Sequence, residues 1–256
     1  YTAEVKISEA NASTNGVKTI TVNTTAVGNI ATTKTATIEL RNFNEFILSI
    51  PQGISLIHIP LAVKDVNDKP MEIKTVGDVY DAIGPGNVNF IITFQPGQGT
   101  ARGVWGSFLG QLSRGTSTDR KITDDLGLIT VMKNPVTLHL KGDALGKDGV
   151  SQMKITPGNS LIGVPLKSEK VKRVSDLLTL EGFVGKVTSI IVSDAGAFKV
   201  VAQPGDAGDI PITGGQSFIV IARSGGSAEV TGVAWDNVSG TPSAAPPMMA
   251  KPLIRP

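Results

Sequence analysis

One nine-residue segment occurs twice in this chain. Gly53-Ile54-Ser55-Leu56-Ile57-His58-Ile59-Pro60-Leu61 returns as Gly158-Asn159-Ser160-Leu161-Ile162-Gly163-Val164-Pro165-Leu166, with Gly, Ser, Leu, Ile, Pro and Leu conserved between the copies. A repeat of this length binds the fold more tightly than any local propensity, because two copies of one apolar segment ask for two similar surroundings. Further matches follow in the same order. Val174-Ser175-Asp176-Leu177-Leu178-Thr179-Leu180-Glu181-Gly182 answers the segment around Asp78, and Ile190-Ile191 answers Ile91-Ile92. Thr213, Ile219, Ile221, Gly232 and Ala234 answer Thr123, Ile129, Val131, Gly142 and Ala144. The spacing between partners shrinks along the chain, as expected when loops absorb length differences and strands keep register.

The repeat divides the chain into residues 1–42, a first module at 43–145, a second at 146–238 and a proline-rich tail or linker at 239–256. Within each module the apolar runs are short, rich in Val, Ile and Thr, and broken by Gly, Pro and Asn, which reads as strands. In the first module these are Phe46–Pro51, Leu56–Ile59, Phe90–Phe94, Leu128–Met132 and Val136–Leu140, with a long Gly-rich loop carrying Trp105 and Phe108. One short helix is expected at Thr75–Gly84. Thr75 and Asp78 have the spacing of a capping box, Gly84 stands at the left-handed C′ position, and Val76, Val79, Tyr80 and Ile83 share a face. The second helix is expected at Val174–Gly182. Residues 1–42 read as strands at Glu4–Ile7, Lys18–Asn23 and Thr35–Leu40, with turns at Asn15-Gly16 and Gly28-Asn29. Aromatic residues are only 5% against 40% hydrophobic, so the cores must be built from aliphatic side chains.

Two resemblances bear on this pattern. Gly16-Val17-Lys18-Thr19-Ile20-Thr21-Val22, then Gly28-Asn29-Ile30-Ala31-Thr32 and Thr35-Ala36-Thr37-Ile38, resemble the closing strands of bacterial immunoglobulin-like surface domains, with Thr25 or Ala26 where that pattern carries Asp. A complete sandwich of that type needs roughly 100 residues, so only part of one is expected here. The repeated opening at Gly53–Leu61 and Gly158–Leu166, with the ending Ile212-Thr213-Gly214-Gly215-Gln216-Ser217-Phe218-Ile219-Val220, resembles a module of large bacterial secreted and surface proteins. The first copy departs from that ending with Asp124-Asp125-Leu126-Gly127-Leu128, and neither copy has the module's early tryptophan. The expected fold is mainly β: two tandem β-rich modules with one short helix each, after partial immunoglobulin-like strands. The resemblance implies an extracellular or cell-surface location.

The chemistry-bearing residues are sparse. No cysteine is present, which excludes disulfides, thiolate metal sites and cysteine nucleophiles. A formal charge of +2 without basic runs argues against a nucleic-acid groove, and no apolar run reaches the length of a membrane span. His58 and His139 sit inside strands with no ligand-spaced partner, and Ser55 and Ser160 lie within the repeated strands. Asp65-Val66-Asn67-Asp68-Lys69-Pro70 resembles the cadherin linker, and its Asp65, Asn67 and Asp68 are candidate Ca²⁺ ligands. The same segment also reads as a solvated turn. Trp105 and Trp235 are either core plugs or sugar-stacking platforms. No catalytic constellation is legible. The expected function is non-enzymatic: a structural or interaction segment of a surface layer, appendage or adhesin, with protein neighbours or self-assembly as partners. The alternative is a carbohydrate-binding module.

Overall fold

The computed structural model describes residues 16–25, 31–40, 43–97, 101–194 and 196–238. Strand β1 (Gly16–Thr25) pairs antiparallel with β2 (Ala31–Leu40), in a register running from Gly16↔Leu40 to Thr25↔Ala31. This hairpin belongs to one of two compact units, and Asn44–Val238 form the other. The strand expected at Glu4–Ile7, residue Asn15 of the first turn, the Gly28-Asn29 turn and the tail 239–256 lie outside the described residues.

Residues 44–238 are mainly β, in four antiparallel sheets. The first half contributes β3 (Asn44–Ile50), β4 (Gly53–His58), β5 (Leu61–Val66), β6 (Lys69–Pro70), β7 (Val88–Gln95), β8 (Val104–Phe108), β9 (Gly127–Met132) and β10 (Val136–Ala144). The second contributes β11 (Val150–Ile155), β12 (Gly158–Gly163), β13 (Val187–Asp194), β14 (Ala197–Val201), β15 (Ser217–Ala222) and β16 (Gly226–Thr231). One sheet of the first half has the order β4-β9-β7-β8, and the corresponding sheet of the second has β12-β15-β13-β14. Their registers coincide. Leu56 faces Ile129 as Leu161 faces Ile219, and the pairing shifts between Val88 and Phe90 as it does between Val187 and Ser189. The other sheet runs β3-β10-β5-β6, answered by β11-β16 plus a bridge from Lys167 to Val233. Gly142 and Gly232 have one cause. A Cβ on Gly142 would lie 2.3 Å from the Ala62 carbonyl oxygen, and on Gly232 2.2 Å from that of Lys167.

Strand β8 runs through what the sequence presents as a glycine-rich loop. Gly106 hides the alternation, and it is needed because a Cβ there would lie 2.7 Å from Thr118 Cγ2. Helix α1 (Val76–Ile83) forms as its caps dictate. The Asp78 amide donates to Thr75 Oγ1, the Thr75 amide donates to Asp78 Oδ2, and Gly84 closes the helix at φ 90° with an extended ψ. Helix α2 is a single turn, Asp176–Thr179, shorter than the expected Val174–Gly182. Arg173 stands where the first half has Thr75, so the capping hydroxyl is missing, although Asp176 still accepts the Lys172 and Arg173 amides. Both helices are stapled to the loop before β9 or β15 by an aspartate. Asp119 accepts the amides of Gly77 and Gly115, and Asp209 those of Ser175 and Gly205.

A single buried cluster runs through both halves, from Phe46, Leu48 and Leu138 to Met153, Phe218 and Trp235. A second, small cluster joins Leu56, Phe94 and Leu161, flanked by Ile129 and Ile219. The two copies of the repeated Leu therefore pack in the same place. The contacts between the halves are reciprocal. His58 N–H donates to the Gly215 carbonyl at 2.8 Å, and Gly163 N–H donates to that of Asp125 at 2.9 Å. Ile57 bridges Gln216 as Ile162 bridges Leu126.

Candidate functional site

The residues proposed for Ca²⁺ form the β5–β6 hairpin. Asn67 and Asp68 have φ of 53° and 61°, so the link is a two-residue turn of the primed type that suits twisted strands. Asn67 is spent on structure. Its amide donates to the His139 carbonyl, and its Oδ1 accepts the His139 amide, both at 2.8 Å. Asp68 pairs with Lys141 Nζ at 2.8 Å, which lowers the Asp68 pKa and raises that of Lys141. Asp65 lies opposite Lys141 in the ladder, with a buried Oδ1 that has no hydrogen-bond partner. Lys141 thus already engages the Asp68 carboxylate, and among the described residues no group of three or more His, Cys, Asp or Glu is placed to hold a metal.

Neither histidine faces a nucleophile. His139 Nε2 lies 3.1 Å from Glu45 Oε2 on the surface of the β3–β10 pair. His58 is fully buried, with Nδ1 3.1 Å from the Leu126 carbonyl oxygen. That oxygen only accepts, so Nδ1 carries the proton and Nε2 is left without a partner. Burial holds the His58 pKa below its ordinary value, against the raising effect of the Leu126 carbonyl and of Asp125 and Asp124. The tryptophans divide. Trp235 is 7% exposed and donates Nε1–H to the Val164 carbonyl at 2.8 Å, as a core plug does. Trp105 is 38% exposed and stands edge-on to Phe94.

Trp105 belongs to an uncharged surface. Residues opposite each other in antiparallel strands share a face, which gives one row Leu56–Ile129–Ile92–Ser107 and a second row Leu161–Ile219–Ile191–Val200. Trp105 stands beside the first row, opposite Phe94, and Phe198 stands beside the second, opposite Ser193. Ile129 and Ile219 line one shallow groove with Trp105, so the two rows meet. Phe198 is 51% exposed and Val200 56%.

A cleft of ≈ 660 Å³ opens between the β3–β4 hairpin and residues 212–216, bounded at one end by Trp235, Asp236 and Asn237. Phe46, Leu48, Ile57 and Ile212 supply apolar lining. The Asn237 carboxamide lies along the edge of β3. Its Oδ1 accepts the Ile47 amide at 2.7 Å, and its Nδ2 donates to the Ile47 carbonyl at 2.8 Å. Ser55 lines the same cleft, 6% exposed, and its hydroxyl has no partner. The equivalent Ser160 accepts the Thr156 amide at 2.9 Å. Pro51 stands at the place of Thr156 and has no N–H to give.

The aligned sequence copies hold the signal for this cleft, in their mismatches: Pro51 against Thr156, and Gly214-Gly215 against Asp124-Asp125. Asn237 has no counterpart that sequence comparison could find. Among the described residues no helix is long and apolar enough to cross a membrane. The chain matches no family model, no curated protein and no solved structure.

Proposed function

We propose that this chain is a non-enzymatic structural and interaction segment of a secreted or cell-surface protein, built by duplication of one β-rich unit. Its working surface is the uncharged face that carries Trp105 and Phe198. The observation behind this reading is that two equivalent sheets each put half-buried isoleucines, Ile92 and Ile129 or Ile191 and Ile219, next to an exposed aromatic, with Leu56 and Leu161 buried at the end of each row. Contiguous apolar surface of this kind marks a place where protein covers protein, and aromatic residues are the usual anchors of such contacts. The flat, paired rows suit a neighbouring β-sheet, and a second copy of the chain supplies one. Sedimentation velocity across a concentration series tests this. Association is expected, and Trp105→Lys with Phe198→Lys should abolish it. A strictly monomeric, fully folded chain at high concentration would overturn it.

The carbohydrate-binding alternative keeps one feature, the exposed Trp105 beside the Ser107 hydroxyl. Quenching of tryptophan fluorescence by oligosaccharides, lost in Trp105→Ala, would favour it over the protein partner.

A further inference from the structure

We propose that the cleft beside β3 binds a short extended segment of another polypeptide, added as a strand to the open edge of β3. This site borders the apolar face around Trp105, with Leu56 and Ser193 in common, but its pairing edge, β3, belongs to another sheet. Strand β3 is the outermost strand of its sheet. In an antiparallel pair, the N–H and C=O of alternate residues point toward the partner strand and those between point away. The Asn237 carboxamide bonds both backbone groups of Ile47, so Ile47 is an outward-pointing residue. Ser49, two residues on, then presents its N–H and C=O to the same side, and it lines the cleft.

The second half shows what the edge requires. Lys154 occupies the place of Ser49, and its outward amide donates to Asp125 Oδ2 at 2.8 Å. Ser151 Oγ donates to Asp124 Oδ2 at 2.8 Å alongside it. Facing β3, the equivalents of these aspartates are Gly214 and Gly215, which have no side chain to reach the strand. A third difference lies in the hairpin beyond. Only two residues separate β13 from β14, and Ser193 and Gly196 line the cleft. Strands β7 and β8 are joined by a longer loop, whose Arg102 side chain reaches within 3.6 Å of a Cβ built on Gly158. Three departures from equivalence therefore fall on one spot. The loop is shortened, the two aspartates become glycines, and the donor to the Ser55 position becomes proline.

The aspartate and proline changes uncover the Ser49 amide and the Ser55 hydroxyl, whose equivalents the other half satisfies internally, and the shorter loop leaves room beside them. The buried Ser55 hydroxyl is expensive without a partner, and the exposed Ser49 groups are open to one. An extended peptide is the partner that matches them. Its carbonyl accepts from Ser49 N–H, its amide donates to Ser49 C=O, and alternate side chains enter the lining of Phe46, Leu48 and Ile212. Asn237 holds the adjacent register position with the same donor and acceptor spacing a strand residue would offer. The cleft volume is that of a ligand-binding site. The lining mixes apolar side chains with polar ones, Lys167 and Asp236 among them, so the segment carries apolar residues at alternate positions and polar residues between.

The test is selection of random heptapeptides displayed on phage against the full chain, followed by titration of a selected peptide synthesised with both ends capped. Enriched sequences should alternate apolar and small polar residues and avoid proline at the pairing position. Ser49→Pro removes the open amide from an edge strand, where proline is tolerated, and should weaken binding at least tenfold while the unfolding midpoint holds. Asn237→Ala frees the Ile47 groups and should tighten binding several-fold. These opposite shifts guard against a folding defect in either variant. The proposal is overturned by failure to enrich any such sequence, by affinities unchanged in both variants, or by binding only of peptides with a free terminal carboxylate.

Discussion

The His58 imidazole occupies the space that a side chain on Gly163 would need. A Cβ built on Gly163 would lie 2.1 Å from His58 Cγ. The two residues hold the same place in β4 and β12, and their amides make the reciprocal hydrogen bonds between the halves. Where equivalent positions meet face to face, only one can be large. Gly127 and Ser217 obey the same rule, since a Cβ on Gly127 would lie 2.8 Å from that of Ser217.

Gly163→Ala should therefore destabilise residues 44–238 by about 1–3 kcal/mol, the usual range for overpacking a filled core. His58→Ala in that background should recover part of the loss. Urea denaturation of the single and double variants reads the coupling between them, expected above about 0.5 kcal/mol. Additive effects would mean that the two sites do not share the space.

The buried His58 sets a pH dependence. Its folded-state pKa lies below the ordinary 6.5, so the unfolded chain binds the proton more readily. Stability is full above pH 6.5 and falls as pH drops from there toward the folded-state value, with a slope of up to about 1.4 kcal/mol per pH unit. His58→Gln should flatten the denaturation midpoint between pH 6.5 and 5. A wild-type midpoint that stays constant over this range would contradict the burial argument.

Asp209 acts at much lower pH. Burial disfavours its charge, but the amides of Ser175 and Gly205, together with the Ser175 hydroxyl and Arg173, outweigh this and bring its pKa to about 2. The carboxylate's contribution is present above the unfolded value of 3.8 and is lost as pH falls toward about 2. At neutral pH Asp209→Ala should lower stability by about 2 kcal/mol, because the helix-entry amide of Ser175 and the loop amide of Gly205 lose a charged acceptor. Asp119→Ala should act in the same direction through Gly77 and Gly115. Chemical denaturation at pH 7 measures both.

Calcium should leave the unfolding midpoint unchanged at millimolar concentration, as should a chelator. Lys141 already engages the Asp68 carboxylate, and the β5–β6 hairpin gathers fewer than the six oxygens that Ca²⁺ takes. A concentration-dependent rise in midpoint that disappears in Asp68→Ala would instead place a calcium site at this hairpin.

Much of the strand pattern was legible before any coordinates. Phe46, Leu48 and Ile50 alternate with exposed neighbours in β3, and they are buried as a period of two requires. The Thr75–Asp78 spacing located α1 because capping is a local, short-range chemistry. Strand β8 was not legible, since Gly103 and Gly106 interrupt its alternation for reasons that lie in distant contacts: each would meet another segment if it carried a Cβ. The late start of α2 likewise goes with the loss of the capping hydroxyl, Arg173 standing where the first half has Thr75. Of the candidate site residues, Asp65, Asn67 and Asp68 were found as oxygen donors. The engagement of Asn67 by His139 and of Asp68 by Lys141, both from β10, depends on a strand far along the chain.

By itself, the order of residues marked β3, β4, β7, β9 and β10 as strands, located the start of the first helix and showed which positions answer each other across the two halves. These properties depend on neighbours within a few residues, so they can be read from spacing. Tertiary structure alone decided that both copies share one core, that His58 closes against Gly163, and that a cleft opens beside β3 but is filled beside β11. Those outcomes follow from which side chains meet across the contact between the halves, and volumes that must be shared there are not encoded at either position separately.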